Sequence, residues 1–461
     1  MLFAWAKYTT LGIYMPLHST YYVTRDIERA LGMEPSEQYR IISNTGAYAE
    51  RVRTQYPEYV FLIDRKVGDE PLDTYALLSH PETAKIIAAK SSIIVFKNTS
   101  RIEVLCVEKK WKLLNPSAAL AEKIENKITQ IKWLGDGTMD DAARYFPPHK
   151  IVKISDIGNI KTSMQRPFIL QWAHSHTGDG TILIPSGASG EKILANLTEK
   201  FPDREARITE YIRGPMFTVN ICIMGNMGKE ILVGNVSYQI TGMLPFTDNP
   251  FATVGNDWSL PHSLLSEKKM AEFNKIATAV GHKMINSGWC GLFGIDCIYD
   301  EERDSLHLIE INARQPASVT YESELQAHVR AAISIPIPIS ANAGISAGMT
   351  IFEAHIAALT NTPARTSAAS SGKSLSCIEI NDGAQIIDRI KKTATIIPTA
   401  DIVENLRHKK YTVIEYENNK LGKPGADHIR IQSTHGIMSA HNVFNNRGKE
   451  ILAVITGTVL V

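Results

Sequence analysis

The sequence predicts a multi-domain α/β protein with α+β parts beyond its first sheet. Its length of 461 residues suggests two to four domains. Residues 39–97 alternate short β runs with helical segments, which is typical of a small parallel sheet. Residues 361–375 are small and polar and lack apolar periodicity, so we expect a linker there. Short strands and turns after it predict a small β-rich C-terminal domain.

The N-terminal elements are predicted from apolar runs and the turns between them. We expect strands at 39–43, 59–64 and 92–97, and helices at 47–56 and near 82–90. No GxGxxG pattern occurs, so a dinucleotide-binding fingerprint is absent.

The later elements follow from the same patterns, with Ser117 as the expected N-cap of the first helix. The predicted helices span 117–134, 188–200, 264–287 and 348–360. The predicted strands span 168–172, 217–222, 386–390, 411–417, 428–432 and 451–461.

Composition and charge exclude several classes of protein. The apolar fraction of 44% and the charged fraction of 21% are ordinary for a globular protein. A formal net charge of +1 offers no long-range attraction for nucleic acid or an anionic membrane. The five cysteines are scattered without a CxxC pair, which argues against a disulfide framework or a zinc site. We expect no signal peptide or membrane span, and a cytoplasmic enzyme.

A predicted hairpin carries the most informative residues. Apolar strands at 292–299 and 306–312 flank a charged turn centred near Arg303, so Asp296 and Glu310 lie opposite each other. Asn312 shares the face of Glu310, because residues two apart on a strand point the same way. Two carboxylates and an amide oxygen on one face can act as ligands of a Mg²⁺ ion whose remaining ligands are phosphate oxygens of a nucleotide triphosphate.

A solvated acidic face is the usual explanation for such residues. Here the surrounding strand residues are strongly apolar, and like charges facing each other across strands destabilise a hairpin. Two carboxylates in this setting need a cation or a basic partner. Arg314, on the same face, is one candidate partner.

The hairpin resembles the magnesium hairpin of the ATP-grasp superfamily, which has an acid, a short turn and then Glu-x-Asn-x-Arg. The resemblance implies that Asp296, Glu310 and Asn312 hold Mg²⁺ or Mn²⁺. It also implies that Arg314 stabilises the charge that develops on an acyl phosphate or a bound carboxylate.

The run Glu125-Asn126-Lys127 resembles the Asp-Lys dipeptide of the same superfamily. The resemblance implies that Lys127 contacts the nucleotide phosphates, which suits a mobile point charge. An exposed helix lysine is the alternative.

Residues 167–181 form a predicted strand and a Gly-rich loop. Ser175, Gly178 and Gly180 are expected to cover phosphates with backbone N–H groups. The superfamily normally carries a lysine on this strand where the chain has Gln171, which donates a hydrogen bond but brings no charge. His174 and His176 are surface residues, or they assist the loop or coordinate a metal.

Residues 209–219 resemble the adenine-binding hinge of D-alanine–D-alanine ligases and their relatives. The resemblance implies that the backbones of Tyr211 and Ile212 pair with the adenine edge, and that Glu210 accepts from its exocyclic amine. The family usually has an acid for the ribose hydroxyls where this chain has Met216.

The matches cover about residues 120–360 and imply a domain organisation. Residues 1–115 resemble a pre-ATP-grasp domain with a small parallel sheet, and 116–360 an ATP-grasp domain of two α+β subdomains. Residues 361–375 are the linker, and 376–461 are the β-rich C-terminal domain.

The implied activity is that of an ADP-forming carbon–nitrogen ligase. It joins a small-molecule carboxylate to an amine through an acyl phosphate at the expense of ATP, and it requires Mg²⁺. Arg314 and Lys127 are the expected catalytic residues. No nucleic-acid or membrane partner is expected, and a homodimer is compatible with the resemblance. The open alternatives are a nucleotide-binding protein without turnover, motivated by Gln171 and Met216, and other chemistry of the superfamily such as ATP-dependent carboxylation.

Overall fold

The structure of the protein is a computed structural model. It describes residues 19–64, 70–135, 142–160, 167–174, 180–224, 230–333, 348–360, 375–389, 399–416 and 426–457. None of the described helices combines the length and apolar character needed to traverse a bilayer.

Five parallel strands form the first sheet, in the order β3-β2-β1-β4-β5. Its elements are β1 (Thr20–Val23), β2 (Tyr39–Asn44), α1 (Ala47–Gln55), β3 (Val60–Ile63), α2 (Thr74–Ser79), α3 (Pro81–Ile86), β4 (Ser92–Val95), α4 (Ser100–Glu108) and β5 (Lys112–Leu113). The predicted parallel sheet is confirmed. The strand order reverses between β1 and β4, and ligands of such sheets bind beyond the carboxyl ends of the strands at this point. A short turn, Ile27–Ala30, follows β1 there.

The next unit is a four-stranded antiparallel sheet with the order β6-β9-β7-β8. Its elements and the helices before it are α5 (Ala118–Glu125), α6 (Lys127–Leu134), β6 (His149–Lys153), α7 (Ile157–Ile160), β7 (Phe168–Trp172), β8 (Thr181–Ile184), α8 (Ala188–Lys200) and β9 (Glu205–Glu210). Buried residues of β7, β9 and α8 share one small core, which includes Leu170, Ile208 and Leu194.

The single helix predicted over 117–134 is wrong, because the chain forms two helices that meet at Asn126. Ser117 caps α5 as predicted, by accepting a hydrogen bond from the N–H of Leu120. The side chain of Asn126 accepts from the N–H groups of Ile128 and Thr129, which starts a second helix. Asparagine competes in this way with backbone hydrogen bonds inside a helix. The break makes Lys127 the first residue of α6.

A ten-stranded sheet contains most of the remaining strands. The elements before residue 361 are β10 (Met216–Met224), β11 (Glu230–Val233), β12 (Ser237–Thr241), β13 (Thr253–Asp257), α9 (Pro261–Leu264), α10 (Glu267–Asn286), β14 (Gly291–Asp300), β15 (Ser305–Asn312), α11 (Val319–Ala332) and α12 (Ile351–Thr360). The later elements are β16 (Leu375–Ser376), β17 (Ala384–Arg389), α13 (Thr399–His408), β18 (Thr412–Glu415), β19 (Asp427–Ser433), β20 (Met438–Ala440), β21 (Val443–Phe444) and α14 (Asn446–Thr456).

The strands of the C-terminal part extend this large sheet. Its order is β15-β14-β10-β12-β13-β17-β19-β18, with β11 beside β10 and β16 beside β11. The ladder between β13 and β17 joins the two parts of the chain, for example at Gly255 and Ile386. Most of the predicted linker, 361–374, lies outside the described residues. The domain boundaries themselves stay a prediction.

The strand predicted at 451–461 is wrong, because its described residues belong to a helix. The side chain of Asn445 caps α14 by accepting from the N–H of Gly448, and Gly457 ends the helix in the left-handed conformation. Ile451 and Ile455 are buried on one face four residues apart, so the apolar period is helical although the residues are β-branched. Other predicted elements are present with small shifts at their ends.

His355 lies on α12, whose described side chains are almost all buried. Its Nδ1 atom accepts a hydrogen bond from the N–H of Leu292 at 3.1 Å, and its Nε2 atom has no partner among the described residues. Burial lowers the pKa of His355 from 6.5 to about 3. A histidine whose folded-state pKa is depressed stabilises the fold above its unfolded pKa, and this contribution is lost as the pH falls from 6.5 towards 3.

We therefore expect the protein to lose about 2 kcal/mol of unfolding free energy between pH 7 and pH 5 through this one histidine. His355→Asn keeps an acceptor for the N–H of Leu292 and should remove that loss, as measured by urea unfolding at both pH values. His282→Asn, at an exposed position of α10, is the control. Equal pH dependence in His355→Asn and wild type would contradict the assignment.

Candidate active site

A cavity of about 610 Å³ brings together most of the described site residues that the sequence predicts, from three parts of the chain, although Lys127 and Gly180 do not line it. Its walls come from β7 and the end of β9 on one side and from the β14–β15 hairpin on another. Residues of β12, β13, β17 and β19 and Arg29 of the turn after β1 complete it. The carboxyl end of the first sheet thus contributes to the same site as the hairpin.

The predicted register of the hairpin is confirmed at its functional residues. Asp296 pairs with Glu310, and Gly294 pairs with Asn312. The register shifts between Asp296 and Cys297, and Cys297 pairs with Leu308, so Ile309 is an additional residue in a β-bulge. The side chains of Asp296, Glu310 and Asn312 all line the cavity, and Asn312 Nδ2 donates to Asp296 Oδ2 at 3.1 Å.

Lys127 lies against this acidic pair, and its side chain is only 2% exposed. Its Nζ atom forms an ion pair with Glu310 Oε1, so the alternative of an exposed helix lysine is wrong. Burial alone would raise the pKa of Glu310, but Lys127, Arg314 and Arg207 together hold it below its ordinary value. Burial and the Glu310 carboxylate raise the pKa of Asp296 to about 6. The carboxylates of Asp296 and Glu310 therefore repel each other on this face, and a bound cation would reduce that repulsion.

Gln239 on β12 is a further contact of this face that the sequence analysis missed. Its Nε2 atom donates to Asp296 Oδ1 at 2.6 Å, and its Oε1 atom accepts from the Thr253 hydroxyl at 3.0 Å. The polar residues Ser237, Gln239 and Thr241 alternate along β12, and this period-two pattern was the available signal.

Gln171 lines the cavity as predicted, and it pairs with Thr181 on one side and Arg207 on the other. Arg207 is fully buried, and its Nε and Nη2 atoms donate to Gln171 Oε1 at 3.2 and 2.6 Å. A positive charge therefore lies directly beside the Gln171 amide, on the neighbouring strand. The signal in the sequence was a single charged residue between Ala206 and Ile208, both of which are fully buried.

The described part of the Gly-rich loop is short. Ser175 and Gly178 lie outside the described residues, as does His176, whereas Gly180 is described and accepts a hydrogen bond from the N–H of Trp172 at 3.1 Å. The side chain of His174 is 64% exposed and pairs with Glu122, in agreement with a surface position. The phosphate contacts of Ser175, Gly178 and Gly180 stay a prediction.

The predicted adenine hinge follows β9 directly. Tyr211 and Ile212 line the cavity, and the N–H of Tyr211 donates to the carbonyl of Pro167 at 3.3 Å. Both guanidinium Nη atoms of Arg303, in the hairpin turn, donate to the Glu210 carboxylate. Glu210 therefore ties the hinge to the hairpin in this structure, and its contact with an adenine amine stays a prediction. Met216 lines the cavity beyond the hinge.

Arg314 lines the cavity beside the acidic pair. Its Nη2 atom donates to Asn312 Oδ1 at 3.1 Å, and its Nε atom lies 3.1 Å from Glu125 Oε1. Glu125 also pairs with Lys97, at 2.5 Å. These contacts hold the guanidinium next to the amide that the sequence analysis assigned to the metal.

Four more arginines line the cavity: Arg213 in the hinge, and Arg29, Arg389 and Arg430, which were missed. Arg430 is 1% exposed, and its Nη1 atom donates to the carbonyl of Ala317 at 3.2 Å. Among the described residues, no hydrogen-bond partner reaches Arg430 Nε or Arg29 Nη1, although both atoms are buried. They come from distant segments, so no local motif marks them.

Comparisons with solved structures show the same architecture over nearly the whole chain. N5-carboxyaminoimidazole synthetase from Staphylococcus aureus, complexed with ADP, matches with a TM-score of 0.58 and 14% identity over 97% of this chain and 100% of its own. The N5-carboxyaminoimidazole synthase from Aspergillus clavatus, complexed with ADP and 5-aminoimidazole ribonucleotide, matches with a TM-score of 0.59 and 15% identity over 96% and 99%. Biotin carboxylase from Campylobacter jejuni, in a β-γ-ATP complex, gives a TM-score of 0.57 and 15% identity over 90% and 87%.

No family model matches the sequence, and no curated protein matches it. The fold is therefore established by the structural comparison alone, and it agrees with the fold that the hairpin and hinge motifs predict. The chain has the ATP-grasp fold.

Proposed function

We propose that the protein is an ADP-forming ligase that joins a carboxylate to an amine. The observation that carries the proposal is the convergence of Asp296, Glu310, Asn312, Arg314 and Gln171 on one cavity next to the hinge. In the reaction, a carboxylate oxygen attacks the γ-phosphorus of ATP and ADP leaves. The amine nitrogen then attacks the acyl carbon of the acyl phosphate, phosphate leaves, and the amine gives up a proton.

The residues of the hairpin face fit a magnesium site. Asp296 and Glu310 offer hard carboxylate oxygens and Asn312 an amide oxygen, which is the ligand class that Mg²⁺ prefers. Among the described residues, no group of three His, Cys, Asp or Glu side chains has the arrangement of a metal site. That agrees with a site that completes its coordination with phosphate oxygens. Mg²⁺ or Mn²⁺ bound there would neutralise part of the charge on the β- and γ-phosphates.

The protein's own groups account for binding and orientation. The backbones of Tyr211 and Ile212 would pair with the adenine edge, and the N–H groups of Gln171 and Gly180 would bind phosphate oxygens. Lys127, now paired with Glu310, would turn its ammonium towards a phosphate once a cation neutralises the carboxylate. Arg314, which donates to Asn312 Oδ1, would stabilise an acyl-phosphate oxygen.

The arginines at the other side of the cavity indicate an anionic substrate. Arg29 and Arg430 each have a buried guanidinium N–H without a partner among the described residues. Buried donors of this kind are costly unless they bind an acceptor. Glu28 Oε1 lies 3.9 Å from both Arg29 Nε and Arg430 Nη2 and compensates part of their charge. We infer that a carboxylate or phosphate group of the acid or the amine substrate accepts from the N–H groups that remain without a partner.

ATP-dependent carboxylation is the second candidate. Solved structures with the same fold include biotin carboxylase and N5-carboxyaminoimidazole synthase, the latter complexed with ADP and 5-aminoimidazole ribonucleotide. In that case bicarbonate is the acid, and the amine substrate carries the anionic group. A homodimer stays a prediction under either candidate.

A phosphate-release assay tests the proposal. Pools of small carboxylic acids and amines, with and without bicarbonate, are incubated with the protein, ATP and MgCl₂. Release that requires both an acid and an amine supports ligation, and release that requires bicarbonate and an amine supports carboxylation. Nucleotide binding without phosphate release in any pool would favour the alternative of a binding protein without turnover.

Arg430→Met should weaken binding of the anionic substrate about tenfold to a hundredfold, because a hydrogen bond to a charged group contributes about 1.5–3 kcal/mol. We expect the KM for that substrate to rise while the KM for ATP stays unchanged. Arg447→Met, at an exposed position of α14, is the control. Unchanged KM values for every substrate of Arg430→Met would contradict the assignment of the anion site.

A further inference from the structure

Three residues form a row across the four-stranded sheet, and two of them, Thr181 and Gln171, line the cavity. Thr181 pairs with Gln171, and Gln171 pairs with Arg207. Residues directly opposite each other in a sheet project from the same face. Arg207 on β9 therefore lies beside Gln171 on β7, and Thr181 lies on the other side of Gln171, on β8.

Arg207 is a fully buried cation held by neutral groups. Besides Gln171, it donates to Gln130 Oε1 and to the carbonyl of Ile309, both at 3.2 Å, and its guanidinium lies 4.8 Å from the centre of the Phe146 ring. Among the described residues, no carboxylate lies within 4.0 Å of the guanidinium, the distance that defines an ion pair. Burial lowers the pKa of Arg207 to about 10. The Glu310 carboxylate opposes this lowering of the pKa but forms no ion pair with Arg207. A phosphate group that came close would compensate a buried charge that is otherwise only partly balanced.

The contacts of Arg207 also determine how the amide of Gln171 is oriented. A guanidinium has only donors, so the amide atom that faces it must be the carbonyl oxygen Oε1. The Nε2 atom then faces the other way, and it donates to the Thr181 hydroxyl at 3.3 Å. An amide nitrogen has two N–H groups, so Nε2 keeps a second one besides the N–H that Thr181 accepts, and Gln171 is a residue of the cavity wall.

We propose that Arg207 is a positioning residue for the phosphates of the bound nucleotide. It orients the Gln171 amide so that N–H groups face the phosphates, and it places a positive charge directly beside that amide. The inference rests on the proposed function, because it assumes that the cavity binds ATP. Arg207 and Gln171 together would supply the positive charge and the hydrogen-bond donor that a single lysine on this strand supplies in the ATP-grasp superfamily.

The bonds of Arg207 connect this pair to the acidic hairpin. Ile309, whose carbonyl accepts from Arg207 Nη2, is the additional residue of the β-bulge next to Glu310. The guanidinium therefore lies between the amide that faces the phosphates and the strand that carries the metal ligands. A triphosphate bound to both would place its negative charge close to this buried cation.

Binding of two probes, an ATP analogue and the nucleoside adenosine, to variants of the protein tests the inference. For Arg207→Met we expect the Kd of a non-hydrolysable ATP analogue with MgCl₂ to rise tenfold to a hundredfold, as measured by calorimetry. The Kd of adenosine, which lacks phosphates, should change less than twofold. The double variant Gln171→Lys with Arg207→Met should bring the analogue back to within about fivefold of wild type, since lysine restores both charge and donor. Arg204→Met, an exposed arginine just before β9, is the matched control.

Gln171→Glu is the second variant, in case Arg207→Met does not fold. A carboxylate at this position pairs with Arg207 and keeps the side-chain volume, but it offers oxygen instead of N–H to the phosphates. We expect a thermal midpoint at or above that of wild type, at least thirtyfold weaker binding of the ATP analogue, and unchanged binding of adenosine.

The outcomes separate this inference from the proposed function. Wild-type binding of both probes together with unchanged affinity of Arg207→Met or Gln171→Glu for the analogue would overturn the inference alone. Equal losses for adenosine and the analogue would also overturn it, because a general structural defect affects both probes. No binding of either probe by wild type would overturn the proposed function and this inference with it.

Discussion

Glu310→Gln is expected to lower ATP-dependent phosphate release about a thousandfold. Glutamine removes one carboxylate from the hairpin face and the negative partner of Lys127, and neutralisation of charge at the transferring phosphoryl group contributes several kcal/mol. The amide oxygen of the substituted side chain still accepts a hydrogen bond from Lys127, so the folded structure should be retained. Phosphate release under saturating ATP, with circular dichroism as the folding measurement, checks both statements.

The matched control for this variant lies on the same hairpin. Glu301→Gln changes an exposed carboxylate of the turn and should leave the rate within about twofold of wild type. In Glu310→Gln the concentration of MgCl₂ that gives half-maximal activity should also rise. Near-normal activity of Glu310→Gln would refute the assignment of this face to the metal.

Lys127→Met should have the largest effect on stability. Removing one partner of a buried ion pair leaves an uncompensated charge and costs about 3–5 kcal/mol. Here it would leave Asp296 and Glu310 facing each other without Lys127, the cation that pairs with Glu310. We expect the thermal midpoint to fall sharply without divalent cations and to recover in large part with millimolar MgCl₂. Phosphate release should fall about a hundredfold, because the ammonium no longer contacts the phosphates.

Lys132→Met, on the exposed face of the same helix, provides the comparison for Lys127→Met. It should shift the thermal midpoint little with or without MgCl₂. A Lys127→Met variant that loses stability equally in both conditions would mean that the lysine and the cation do not compensate the same charge.

The hairpin and its neighbours could be predicted because their chemistry is local. Asp296, Glu310 and Asn312 lie on two adjacent strands of one ribbon, and alternation with apolar residues determines which face they share. The pairing of Asp296 with Glu310 is correct, yet the pairs nearer the turn are shifted by one residue, as Cys297 with Leu308 shows. The bulge at Ile309 absorbs that shift, and a symmetric hairpin drawn from the sequence has no means of revealing it.

The remaining site residues have at most a weak local signal, and their roles were missed because their partners meet them only in the folded chain. Arg207 supplies the charge that Gln171 lacks, but the two residues are 36 positions apart and touch across neighbouring strands. Arg430 comes from a strand near the C-terminus and contacts Ala317, which is 113 positions away. The split of the helix at Asn126 was missed for another reason. A helical segment that is interrupted by a capping asparagine has the same amino-acid pattern as one that contains an asparagine and continues without a break.

The ladder between β13 and β17 has a consequence for protein engineering. Arg389 and Arg430 stand on strands of the same sheet as the proposed metal ligands Asp296 and Glu310, so the proposed anion site is not part of a detachable module. A chimera that exchanged only the chain after residue 360 would have to rebuild that ladder. Otherwise it would leave the buried strand Thr253–Asp257 with an open edge, a surface on which proteins aggregate.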